Sequence, residues 1–290
     1  MLVLLGCLVL LGITWRFGIR DEGAAPSQPS GPVRLPPFAD RETPGDSSVG
    51  LAEVRRQLER LVRIGRPVRC GGGNEPVVAL TFDDGPGPRT HEILRILAVH
   101  RAPGTFFVVG NRLELPGTPS VDAFGPTHVL GNHTWSHASL RRLSPRDRRA
   151  EILSAQRALE EAVGSEIDLF RPPYGHRDER LDRLISRLGL VQVIWSSTSG
   201  DDRPSTPTQM VRRIRSQVRP GAIVLMHEHP ATIQALPRIL QLVRARGLRP
   251  VTVPELLAID PPTRRQLRDG RCPVGGTPDA ISAETGGGRP

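Results

Sequence analysis

Between residues 76 and 258 the chain repeats one pattern: a short apolar run, a turn, then a stretch with helical spacing. Residues 191–195 and 248–253 read as strands, and the runs Val77-Val78-Ala79-Leu80-Thr81-Phe82, 105–109 (TFFVV) and 222–226 (AIVLM) are too continuously apolar for strands with one face in water. These runs read as strands covered on both faces. Helical spacing marks 91–100, 181–188, 208–218 and 233–246, the last closed by Gly247. Residues 145–163 form a longer amphipathic helix, with Ser144 as N-cap and Pro145 at the first helical position. Such alternation predicts a parallel α/β fold, an open sheet or a barrel. Residues 112–128 break the pattern, because Pro116, Pro119, Gly125 and Pro126 leave no room for a regular helix.

The flanks differ in kind. Residues 1–15 (MLVLLGCLVLLGITW) are almost purely apolar; about fifteen residues is short for a spanning helix but normal for the core of a signal peptide. The expectation is export, with residues 1–20 a cleaved signal or a retained membrane anchor. Leu5-Gly6-Cys7 hints at a lipoprotein box, yet the cysteine comes too early to leave room for the preceding segment. Residues 21–66 read as a Pro/Gly/Ser-rich tether ending in a short amphipathic helix, where Leu51, Val54, Leu58, Leu61 and Val62 share helical spacing. Residues 67–262 are the expected folded domain and 263–290 a Gly/Pro-rich tail. Cys70 and Cys272 bracket that domain. In an exported chain they read as a disulfide and in a cytosolic one as two thiols; the expected bridge would add about 4–5 kcal/mol by loop closure.

The formal net charge is +9, and all 39 basic residues are arginine. A GC-rich coding sequence favours arginine without any selection for binding. The arginines are scattered along helices, and with one tyrosine in the chain no basic run is interleaved with aromatics. The nucleic-acid signature is therefore absent.

Four polar clusters follow predicted strands or connect them. Thr81-Phe82-Asp83-Asp84-Gly85-Pro86 puts two adjacent carboxylates after a buried strand, a costly placement unless a cation or an arginine neutralises them. His133-Thr134-Trp135-Ser136-His137 places two histidines at i and i+4, which on a helix share one face and can grip one divalent metal. With a carboxylate they would make a three-ligand set that leaves a position open for water. Arg171-Pro172-Pro173-Tyr174 is a stiffened loop whose arginine can fork onto a carboxylate. His227 ends an apolar strand and is the right type for a general acid near neutral pH. Taken one at a time, each cluster has a plain structural alternative: a turn, a solvated helix start, a surface proline turn, a hydrogen-bonded histidine. His91, His100, His128, His176 and His229 are read as structural or bystanders.

In this order, the strings TFDDG, HTWSH, RPPY and LMH make the sequence resemble the polysaccharide deacetylase family (carbohydrate esterase family 4, the NodB homology domain) over about residues 76–258. The resemblance implies a distorted (β/α) barrel and removal of acetyl groups from N-acetylglucosamine units of a peptidoglycan- or chitin-type polymer. It also implies that Asp84, His133 and His137 hold a divalent metal, usually zinc, although cobalt or nickel suits the same donors. Asp83 would then be the base that deprotonates the attacking water, and Arg171 would orient it. The backbone N–H of Tyr174 would help to hold the oxyanion, and His227 would protonate the departing amine. The implied protein is an extracellular or cell-surface monomer acting on acetylated polysaccharide. One motif departs from the family: where D-x-x-D-W is usual, Thr198 takes the first acidic position and Asp202 that of the tryptophan. Asp201 is then the expected partner of His227. That departure motivates an alternative, a wall-carbohydrate-binding protein of the same fold with little catalysis.

Overall fold

The computed structural model describes residues 49–273. In chain order they form α1 (Leu51–Ile64), β1 (Val77–Gly85), α2 (Thr90–Val99), β2 (Thr105–Val108), β3 (Val129–Asn132), α3 (Pro145–Val163), β4 (Leu169–Phe170) and α4 (Glu179–Arg187). Then come β5 (Val191–Gln192), β6 (Ser197–Thr198), α5 (Pro207–Gln217), β7 (Ile223–His227), α6 (Pro230–Ala245), β8 (Arg249–Val251), α7 (Val253–Ile259) and α8 (Arg264–Asp269). All strand pairs are parallel, in the order β5-β4-β3-β2-β1-β7-β6, with β8 on the first residues of β1. The sheet curls into a half-barrel with helices on its outside, a distorted (β/α) fold.

Side-chain alternation explains both the continuous apolar runs and the position of the polar groups. In β1, Val78, Leu80 and Phe82 belong to the core under the outer helices, with Ile93 of α2 and Leu236 and Leu240 of α6. Val77 and Ala79 face the other way, with Phe107, Ile223 and Leu256. Continuing that inner row by steps of two gives Thr81 and Asp83. The same row in β7 runs Ile223, Leu225, His227. Apolar side chains thus fill one end of the half-barrel, and its C-terminal mouth is lined by polar ones.

The approach to β1 joins distant parts of the sheet. Val68 forms a parallel bridge with Val193, and Cys70 an antiparallel one with Ala222. Cys70 is disulfide-bonded to Cys272 across 202 residues of sequence. Asp260 accepts the Gly73 N–H at 2.6 Å and the Asn74 N–H at 3.3 Å, so the ends of the fold are also hydrogen-bonded together.

Several elements differ from the pattern in the sequence. Strands β3, β4 and β6 are two to four residues long, too short to establish a period. The strand expected over 248–253 is present as Arg249–Val251, and a helix follows from Val253, where Thr252 with Glu255 forms a capping box, a T-x-x-E signature present in the sequence. A further helix, α8, occupies part of the stretch that composition reads as tail. Residues 112–128 contain only short 3-10 turns, in keeping with their prolines. Among the described residues no helix is long and apolar enough to cross a membrane. The expected signal or anchor lies outside the described residues.

Candidate active site

The C-terminal ends of β1, β3, β4 and β7 bring together the predicted groups. His133 and His137 are not on a helix: they lie in the loop after β3. The i, i+4 spacing works by another route. Thr134 and His137 take left-handed backbone conformations, φ 68° and 60°, which curl the loop back on itself. Asn132 accepts the Thr134 N–H at 2.9 Å, and Glu151 of α3 receives the Ser136 N–H and hydroxyl at 2.9 and 2.8 Å. Asp84 and Tyr174 are also left-handed, φ 71° and 61°. Such conformations are uncommon outside glycine and need support from their surroundings. Four of them at one mouth point to a site held in a fixed shape.

His133 Nε2 lies 3.5 Å and His137 Nε2 3.1 Å from Asp84 Oδ1. The three donor atoms fall within 4.8 Å of one another. His133 Nδ1 is 2.7 Å from the Arg171 carbonyl oxygen. A carbonyl only accepts, so Nδ1 carries a hydrogen, and Nε2 is the ring atom turned towards the site. Asp84 Oδ1 is buried and has no hydrogen-bond partner among the described residues. Burial alone would raise the Asp84 carboxyl, but the two imidazoles hold it well below the usual carboxylate range. A buried carboxylate oxygen facing two imidazole nitrogens is a donor set that fits a divalent cation.

Asp83 sits beside this set, 2% exposed. Its Oδ1 accepts from Arg171 Nη1 at 2.6 Å, while Oδ2 lies 3.8 Å from His133 Nε2. Arg171 is fully buried. It donates to Thr81 Oγ1 at 2.8 Å and to the carbonyls of Val193 and Ile194 at 3.3 Å, with its guanidinium 3.9 Å from the Phe107 ring centroid. A cation so deep needs that full set of acceptors. Tyr174 is 59% exposed, its ring 4.8 Å from that of His137, at the rim of the mouth.

His227 faces Asp83 across the β1–β7 pairing. Its Nδ1 lies 2.9 Å from Asp201 Oδ1, and its backbone N–H donates to Asp201 Oδ2 at 2.7 Å. Thr232 also donates to that oxygen, at 2.6 Å. Burial alone would lower the His227 imidazole, but the Asp201 bond, aided by Asp83 and Asp84, pushes it up to about 9. Thr198 closes the turn before Asp201 by accepting the Gly200 N–H at 3.0 Å, a local bond that an aspartate side chain could also make. Asp202, in the tryptophan's place, is half-exposed beside Arg203. Sequence reasoning left out Arg112, which donates to the Asp84 carbonyl, and Glu228 and Thr90 beneath the same turn. No motif spacing marks them, because their roles depend on which strands adjoin.

Parallel strands that gather carboxylates, imidazoles and a buried arginine at their C-terminal mouth define a (β/α) hydrolase site. The polysaccharide deacetylase family profile matches residues 71–193. Over 209 residues the chain is 32% identical to a chitooligosaccharide deacetylase of Sinorhizobium fredii, covering 66% of this chain and 95% of that one. It is also 32% identical to the peptidoglycan-N-acetylmuramic acid deacetylase PdaC of Bacillus subtilis, over 63% of this chain but only 39% of that longer protein. The fold matches the crystal structure of BA3943, a CE4 family pseudoenzyme from Bacillus anthracis, with a TM-score of 0.60 and 27% identity, covering 66% of this chain and 68% of that one. The chain belongs to the polysaccharide deacetylase family.

Proposed function

We propose that the protein is a metal-dependent hydrolase that removes N-acetyl groups from an N-acetylglucosamine-containing polysaccharide of peptidoglycan or chitin type, releasing acetate. The observation that carries this reading is the convergence of Asp84, His133 and His137 within 4.8 Å beside an arginine-held Asp83. Asp84, His133 and His137 would hold the ion; zinc suits two imidazoles and a carboxylate, as do cobalt and nickel. When bound, the ion lowers the pKa of water towards about 7 and polarises a carbonyl.

The chain's own groups supply the rest. Asp83 Oδ2, the oxygen not engaged by Arg171, takes the proton of the attacking water. Arg171 fixes the plane of that carboxylate. The Tyr174 N–H, presented by a left-handed residue at the rim, donates to the carbonyl oxygen as it gains charge. His227 Nε2 delivers a proton to the amine nitrogen, which leaves poorly without one. Asp201 keeps Nδ1 protonated and the ring oriented. The products are acetate and a glucosamine unit. The apolar run at residues 1–15 and the disulfide suit a monomer that works outside the cell on its wall or on extracellular polymer.

Acetate release from acetylated chitooligosaccharide and from peptidoglycan fragments tests this reading. Activity should appear with zinc, vanish with chelator and return on adding the ion. Binding of these sugars without acetate release at any divalent ion would instead favour the alternative, a carbohydrate-binding protein, for which the fold match to a pseudoenzyme is the supporting observation.

A second expectation concerns pH. With an acid raised to about 9, the rate falls as pH rises through the pKa of His227 and the proton is lost. Asp201→Asn removes the main group that raises that pKa, so the basic limb of kcat/KM should move to lower pH. A shift of one pH unit lowers the rate on that limb about tenfold. An unmoved limb would exclude His227 as the acid.

A further inference from the structure

Because Asp83 pairs in register with His227, the next residue on that side, Glu228, comes up against the turn that carries Asp84 and Gly85. Glu228 is 9% exposed. Its Oε2 accepts from Thr90 Oγ1 at 2.6 Å, and Thr90 in turn accepts the Gly87 N–H at 2.8 Å. A Cβ placed on Gly85 would fall 2.3 Å from Glu228 Oε1, and one on Gly87 3.4 Å from Oε2. The turn backbone therefore packs against the carboxyl group itself, and any side chain at residue 85 would displace that carboxyl. Oε1 is buried with no hydrogen-bond partner among the described residues, and Pro86, beside it in the turn, has no N–H to offer. Arg112 donates to the Asp84 carbonyl of the same turn.

An unpaired buried acceptor is unfavourable, and an apolar side chain would fill the space without that cost. Asp84, at φ 71°, needs neighbours that hold it there. We propose that Glu228 is a positioning residue: with Thr90 as its clamp, its carboxyl group is the wedge that fixes turn 84–87 and so aims Asp84 Oδ1 at His133 and His137. This rests on reading Asp84 as a metal ligand.

Two measurements on the full chain test it: cobalt titration into metal-stripped protein, read by visible absorption and chelator competition, and amide hydrogen exchange over residues 84–90 without metal. Glu228→Ala should weaken cobalt binding about 10–100-fold and speed exchange in the turn, whereas Glu228→Gln, which keeps the volume and an acceptor for Thr90, should stay within about threefold of wild type. Thr90→Val releases the clamp and should move both readouts in the same direction as Glu228→Ala, serving in its place should that variant not fold. Cobalt affinity unchanged in Glu228→Ala or Thr90→Val overturns the wedge, as does a glutamine variant as damaged as the alanine one. If wild type takes up no cobalt, it is the metal reading of Asp84 that fails. Exchange then decides alone, and unaltered exchange in Glu228→Ala overturns the proposal.

Discussion

Asp83→Asn should lower kcat/KM for acetate release by about 10²–10⁴-fold while the protein still binds its metal. Asparagine keeps the shape, and its amide oxygen can still accept from Arg171, so the pocket stays filled. What is lost is the acceptor for a proton at Oδ2. Asp84, His133 and His137 are untouched, which separates this variant from any ligand substitution: metal content should match wild type while acetate release collapses. Activity retained within about tenfold would remove Asp83 from the base role, since a positioned base contributes more than that.

The second large effect is on stability. Arg171→Met should destabilise the fold by about 3–5 kcal/mol, because it strands the Asp83 carboxylate in a site where both partners are almost fully buried. At 2–4 °C per kcal/mol for a domain of this size, thermal unfolding should come roughly 6–20 °C lower. Arg171 also donates to Val193 and Ile194, so the loss reaches the join between β5 and the strand approach. Adding Asp83→Asn to Arg171→Met should recover part of the loss, since the stranded charge disappears with it. A double variant no more stable than Arg171→Met alone would place the effect in those carbonyl contacts or in packing instead.

Much of this could be read from the residues before any coordinates. The continuous apolar runs gave away a parallel sheet, because strands covered on both faces cannot alternate with water-facing residues. Asp83 and Asp84 were conspicuous because two adjacent acids after such a strand require neutralisation. The histidine pair was legible as a pair but not as a shape. Spacing alone suggested a helix, whereas the left-handed Thr134 and His137 depend on Asn132 and Glu151, which reach them from β3 and α3. Strands of two residues such as β4 and β6 carry no period of their own and exist only because a neighbour pairs with them. Glu228 was hidden for a related reason: nothing local distinguishes it, and its contact with Gly85 arises from the pairing of strands more than a hundred residues apart.

The covalent tie between Cys70 and Cys272 spans 202 positions. A chain delivered from its amino end cannot close that tie until residue 272 has emerged. Closure of the bond therefore waits on residue 272, and until it happens the edge near Ala222 is held by weak bonds alone.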